Sequence, residues 1–288
     1  MSESIQQLKE YYNKRYGDRV AKGKSVNVLI KPTHACNLDC KYCYDAPSRK
    51  KYGNHVMDML TLAKILKRIN EYADGFSIVW HGGEPLIPGI EWYKRAYEVV
   101  CAMESANMEQ QSMQTNGLLL SPEWAKFAGE YNFEIGVSHD GPFQKNRIGG
   151  ERVTENVKRY LDAGGKAGFI SVINSNSVDR QIEVYEYFKE TFPGSSLAFN
   201  HIFKTIGTEK HQLEYETERY AQAFEKFFRY WLLDRTAQST SERTCEEAIQ
   251  FVGGGDKICC KNNDCRYTWL GFNPKGYVFT CNRRQPDS

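Results

Sequence analysis

Val26-Asn-Val-Leu-Ile30-Lys-Pro-Thr-His34-Ala-Cys36-Asn-Leu-Asp-Cys40-Lys-Tyr-Cys43-Tyr44 is the stretch from which the rest of the chain can be read. A short apolar strand runs into a loop whose cysteines stand at CxxxCxxC spacing. Such a loop supplies three thiolates and no fourth, so an iron-sulfur cube held there keeps one iron open to another ligand. Zinc is the competing reading of clustered cysteines. A structural zinc site takes four ligands, however, and no second CxxC-like pair stands nearby.

Working outward, strand and helix alternate. After the strand Val26 to Pro32, Leu62, Ile65, Leu66 and Ile69 mark a helix, and Phe76 to Trp80 a second strand. The pattern continues with helix Trp92 to Met103, a strand near Gln111 to Thr115, helix Pro122 to Tyr131 with proline at its start, and strand Phe133 to Ser138. Helix Thr154 to Ala163, strand Phe169 to Asn174, helix Gln181 to Thr191 and strand Ser196 to Phe203 complete six strands. A last helix, about Tyr215 to Leu233, carries Ala221, Phe224, Phe228 and Trp231 on one face to close the array. The expected fold is α/β, an incomplete (β/α)6 TIM-like barrel over residues 25–234, with its chemistry at the C-terminal strand ends.

Residues 1–24 read as an N-terminal extension and Arg235 to Glu242 as a polar linker. The tail that follows holds Cys259, Cys260, Cys265 and Cys281 around an Asn273-Pro-Lys-Gly276 turn, which predicts a small β-hairpin module. Composition narrows the partners. With 38 basic against 36 acidic residues the net charge of +2 gives no dedicated surface for nucleic acid. The polar start has no signal-peptide core, and no run approaches the roughly 20 apolar residues of a membrane helix. A cytoplasmic protein is expected, whose nine cysteines serve metal ligation rather than disulfides.

Three further motifs fall at strand ends: His81-Gly-Gly-Glu84-Pro85, Gln114-Thr-Asn-Gly117 and Ser138-His-Asp140-Gly141-Pro142. Together with CxxxCxxC they resemble the radical AdoMet (radical SAM) superfamily, in its peptide-maturing branch with SPASM or twitch tails. The resemblance implies a 4Fe-4S cluster on Cys36, Cys40 and Cys43 that takes S-adenosylmethionine on its open iron. It implies that Tyr42 lies near the adenine, that Gly82, Gly83 and Glu84 meet the methionyl ammonium, and that Asn116 and Ser138 line the cofactor site. Glycines suit the second motif because a β-carbon would block close approach. Asn146-Arg147 matches the pair that gives an arginine to the AdoMet carboxylate, a task for a planar bidentate donor, although the usual His-Asp before it is missing. The alternative for Arg147 is a solvated side chain by the Gly149-Gly150 turn. His139 and His201 sit near strand ends too, but a lone histidine is more often structural.

In the tail, Cys265, Gly276 and Cys281 resemble the opening of a SPASM or twitch domain, with Cys259 at the place of its first ligand. This implies an auxiliary iron-sulfur cluster on Cys259, Cys265 and Cys281, with Cys260 or Cys245 as a possible fourth ligand; a zinc knuckle is the alternative. Sulfatase-maturing relatives carry an aspartate base after the hairpin cysteine. Here that place is Asn282, which takes up no proton at neutral pH and so disfavours that reaction.

The function expected is reductive cleavage of AdoMet and hydrogen abstraction from a ribosomally made peptide, ending in oxidation or cross-linking. The implied partners are the precursor peptide, an electron donor such as flavodoxin or ferredoxin, and a separate leader-binding protein, since 24 residues are too few for a fused recognition domain. The rivals are a twitch-type dehydrogenase of a small molecule and a non-catalytic iron-sulfur or zinc protein.

Overall fold

The computed structural model describes residues 25–103, 108–202, 213–234, 240–254 and 269–279. The extension 1–24, the tail residues Cys259, Cys260, Cys265 and Cys281, and Asn282 lie outside them.

Six parallel strands form the body: β1 (Ser25–Ile30), β3 (Gly75–Trp80), β4 (Met108–Thr115), β5 (Phe133–Ser138), β7 (Ala167–Ile173) and β8 (Ser196–His201). They pair in that order, as the alternation predicts. The helices between them are α2 (Met59–Tyr72), α3 (Ile90–Ala102), α4 (Pro122–Glu130), α5 (Val153–Asp162) and α6 (Gln181–Thr191), preceded by a short α1 (Ala46–Tyr52). Helix α2 starts at Asp58, whose side chain accepts from Thr61 N at 2.7 Å and satisfies one of the free amides of the first turn.

Burial alternates along the later strands. Phe133, Ile135 and Val137 of β5 are buried under the helices, whereas Gly136 and Ser138 face the other way and stay half-exposed. In β7, Phe169 and Ile173 are buried while Gly168, Ile170 and Val172 are half-exposed. A closed eight-stranded barrel packs its interior with side chains. Here the inner face mixes the small and polar Gly136, Ser138 and Gly168 with Ile170 and Val172, and a cleft opens at its C-terminal end.

Both edges of the partial barrel are covered by chain from beyond residue 239. At β1 the hairpin β9 (Trp269–Phe272) and β10 (Val278–Phe279) extends the sheet to eight strands, β9 running parallel to β1 with Asn27 opposite Trp269. Its turn is the expected one: Asn273 Oδ1 accepts from Lys275 N and Tyr277 N, both at 3.0 Å. At β8, Ser241 O accepts from Leu197 N at 2.8 Å, and the fully buried Glu242 accepts from Phe199 N at 2.9 Å. Of the stretch read as a polar linker, the described end is therefore not solvated, since Thr240 and Glu242 are buried. Glu242 also caps α8 (Arg243–Val252), a helix the sequence reading passed over. The closing helix is α7 (Thr217–Leu233), in which Phe224, Phe228 and Trp231 pack partly buried against the core beside the fully buried Phe227, while Ala221, expected on the same face, is exposed.

Candidate active site

The cluster loop leaves β1 at Lys31 and is held on two sides. On one side Gly83 N donates to Thr33 O at 3.1 Å and Glu84 N to Ala35 O at 2.7 Å, so the Gly-Gly-Glu segment lies against the chain entering the loop. Gly82 has φ of 132°, and a β-carbon there would stand 2.7 Å from Thr33 O. These glycines are therefore required by the protein's own backbone. On the other side β2 (Asp39–Cys40) pairs antiparallel with β6 (Arg147–Ile148), Cys40 opposite Arg147. Two-residue strands carry no periodicity, so sequence patterning does not show this ribbon.

Cys36, Cys40 and Cys43 are half-buried and unbridged, and they line one cleft at the C-terminal strand ends. Tyr42, His81, Gly82, Gly83, Gln114, Asn116, Ser138, Arg147, Asn200 and His201 complete its walls. The donor set suits a cube. A cube takes each thiolate on a different iron, and the three loop cysteines face one cleft. Asn116 Nδ2 stands 3.8 Å from Cys36 Sγ and Arg147 Nη1 3.9 Å from Cys40 Sγ, donors that suit thiolates. Burial pushes the Cys40 thiol up to about 11, and Cys36 and Cys43 upward as well, so the bare loop holds thiols that iron would have to ionise.

Arg147 is only 6% exposed, which overturns the solvated alternative. Its Nη2 donates to Asp140 Oδ1 at 3.2 Å and its guanidinium lies 5.5 Å from the Tyr42 ring, while Tyr42 OH donates to the other Asp140 oxygen. Its Nε finds no partner among the described residues. Asp140 thus fastens Tyr42 and Arg147 to the end of β5, and it also accepts from Val172 N at 3.1 Å. The third position of Ser-x-Asp-Gly-Pro was the signal for it.

Glu84 departs from its expected place. It is fully buried and does not line the cleft. Its carboxylate accepts from Leu86 N at 2.9 Å, Thr115 Oγ1 at 2.7 Å and Asn116 N at 2.8 Å, tying the Gly-Gly-Glu turn to the end of β4. Burial raises its carboxyl to about 7.

Three of the six histidines divide by their surroundings. His139 is fully buried, its ring stacked on Tyr187 and its Nε2 2.9 Å from Thr154 Oγ1, a structural residue. His201 lines the cleft with Nδ1 2.8 Å from Tyr215 OH. His81, which the sequence reading gave no role of its own, also faces the cleft. Gly82 N donates to its Nδ1 at 2.7 Å, which leaves the proton of the neutral ring on Nε2; burial, aided by Lys31, lowers its pKa to about 4. Cys245 is buried in the core against Glu242, while the tail cysteines it was expected to join lie outside the described residues.

The sequence profile described as the radical SAM superfamily matches residues 30–197. A cysteine-type anaerobic sulfatase-maturating enzyme of Clostridium perfringens (strain 13 / Type A) is 31% identical over 279 residues, covering 89% of this chain and 74% of that protein. The solved structure of native anSMEcpe with bound AdoMet superposes with a TM-score of 0.80 at 27% identity, over 92% of this chain and 76% of that one. Streptococcus suis SuiB bound to its precursor peptide SuiA gives 0.66 at 15% identity, over 96% and 64%, a likeness of fold.

Proposed function

The chain belongs to the radical SAM superfamily, and from that premise we propose that it modifies a peptide or protein side chain by radical chemistry started at the cleft between β1 and β8. The observation that carries this reading is the convergence of all three loop cysteines with Gly82, Gly83, Asn116, Ser138 and Arg147 on one cleft. The support for a peptide substrate is the similarity, over most of the chain, to enzymes that mature sulfatases. When bound, the cluster and S-adenosylmethionine supply a 5′-deoxyadenosyl radical that takes a hydrogen atom from an unactivated carbon.

The chain's own residues would orient and enclose. Cys36, Cys40 and Cys43 would hold the cube. Gly82 and Gly83 offer backbone at the cleft wall, Tyr42 a flat face and Arg147 an Nε without a partner among the described residues. Glu84 holds this wall in place from behind. His81 and His201 flank the space for substrate, His81 as a neutral donor. In this reading Cys259, Cys265 and Cys281 would hold an auxiliary cluster, which would supply an electron acceptor or a thiol-binding iron, and flavodoxin or ferredoxin would be the electron donor.

Two finer readings of the peptide chemistry differ in their substrate. Similarity to the sulfatase-maturating enzymes favours oxidation of a peptide cysteine or serine, whereas Asn282 in the place of the base favours another peptide modification. The test is anaerobic reconstitution followed by assay of 5′-deoxyadenosine and peptide mass with a cysteine-bearing sulfatase peptide, candidate precursor peptides and an aminocyclitol. Conversion of the cysteine side chain from –CH2SH to –CHO, read in the peptide mass as loss of two hydrogens with sulfur exchanged for oxygen, would support the first reading, and a product with another peptide the second. Turnover of the aminocyclitol alone would overturn the peptide reading, and absence of 5′-deoxyadenosine throughout would overturn the enzyme.

A further inference from the structure

Gln114 sits opposite Gly136 in the β4/β5 register. Its side chain lies flat across that glycine, with Oε1 in the space a β-carbon of residue 136 would fill. The far end of the amide reaches the next inward residue of β5, where Nε2 donates to Ser138 Oγ at 2.9 Å. Beneath it opens a second cavity of about 790 Å³, walled in part by Ser112, Gly136, Gly168 and Ser196. Gln114 lines both this cavity and the cleft above. With glycines below, the bond to Ser138 is what the described structure offers to hold the amide.

A serine hydroxyl has one hydrogen to give and lone pairs to receive. Once a lone pair takes the Gln114 N–H, the hydroxyl hydrogen is directed elsewhere, and among the described residues it meets no acceptor. Ser138 lines the cleft. We propose that Gln114 is a positioning residue that fixes Ser138 as a hydrogen-bond donor into the cofactor cleft, for an acceptor oxygen or nitrogen of S-adenosylmethionine. The inference rests on the reading of this cleft as the AdoMet site. Gly136 is part of the device, since any side chain there would displace the amide.

The experiment is equilibrium binding of S-adenosylmethionine to the reconstituted holoenzyme, with iron content and melting temperature measured for each variant. Ser138→Ala and Gln114→Ala should each weaken binding about tenfold, the scale of one hydrogen bond, and the double variant should be little worse than either. Gln114→Glu decides the direction. A carboxylate cannot donate, so it would draw the Ser138 hydrogen to itself and should bind AdoMet as weakly as Gln114→Ala. Gly136→Ala should weaken binding in the otherwise unaltered chain and have no further effect beside Gln114→Ala. Full affinity in Gln114→Glu, or in Ser138→Ala with iron retained, would overturn the proposal. Failure of the unaltered holoenzyme to bind AdoMet would instead overturn the cofactor reading beneath it.

Discussion

The α-carbon of Gly83 packs directly beneath the carbonyl of Ala35, and a β-carbon at residue 83 would lie far inside contact distance of both Ala35 O and His34 O. Two motifs separated by more than forty residues are thereby one backbone assembly, joined again where Glu84 N donates to Ala35 O at 2.7 Å. The cysteine loop can hold its shape only while this approach is possible.

Gly83→Ala should therefore cost the loop its metal. The obstacle is backbone, which cannot swing aside as a side-chain end can, so the clash should cost about 1–3 kcal/mol or force the loop outward. Iron and sulfide per chain after anaerobic reconstitution should fall below half, while far-ultraviolet circular dichroism stays barrel-like. Gly129→Ala is the comparison: nothing lies within 4 Å of a β-carbon there. At the penultimate position of α4 it should leave iron unchanged and change stability by less than about 1 kcal/mol. Full iron in Gly83→Ala would refute the assembly.

Asp140 is the second fastening of the loop. Removing its carboxylate leaves a nearly buried guanidinium and the Val172 amide without their acceptor. Breaking a buried ion pair from one side costs about 3–5 kcal/mol. Asp140→Ala should lower the melting temperature and release the ribbon that carries Cys40, so that iron falls as well. A variant with unchanged melting temperature and iron would show that the ribbon stands without it.

How far the sequence could be read depends on the range of the signal. The strand order and the cysteine loop were legible because CxxxCxxC, the 3.6-residue helix patterns and short apolar runs are local. Ser138 and Arg147 were legible through motif resemblance, and both line the cleft. The β2/β6 ribbon was not, since two residues leave no pattern. Nor was the inward turn of Glu84, which depends on the end of β4, some thirty residues away. The polar stretch ending at Glu242 looks like solvated linker until β8 offers it unpaired edge amides.

The buried His139 sets a pH dependence. Burial, with a smaller push from Arg147, lowers its pKa to about 3, against about 6.5 for a free imidazole. Between those values the unfolded chain binds a proton that the folded chain refuses, so stability rises with pH there and this contribution is constant above about 6.5. The slope is at most about 1.4 kcal/mol per pH unit. His139→Asn keeps an acceptor for Gly141 N, which now donates to Nδ1 at 3.0 Å, and removes the titration. Urea midpoints should place the variant further below the unaltered chain at pH 7 than at pH 5, by up to about 2 kcal/mol. An equal gap at both values would show that His139 titrates normally in the fold.

Cys40→Ala separates the chemistry from the fold. Cys40 is half-buried in a loop held by Gly83 and Asp140, so losing its sulfur removes little packing. The variant should melt within about 1 kcal/mol of the unaltered chain, yet make no detectable 5′-deoxyadenosine. Substantial production would refute the cluster assignment.

Glu242 offers the converse separation. Its two oxygens accept from Phe199 N at 2.9 Å and Cys245 N at 2.8 Å, closing the β8 edge and capping α8 with one side chain. Glu242→Ala leaves two buried amides without acceptors, at about 1–3 kcal/mol each. The loss should appear as a lower denaturation midpoint, because β8 stands at the opposite end of the six parallel strands from β1, which carries the cysteine loop. Iron per folded chain should stay at the unaltered value. If iron falls in step with stability, the far edge of the barrel is coupled to the loop, and the two fastenings at Gly83 and Asp140 are not sufficient to hold it.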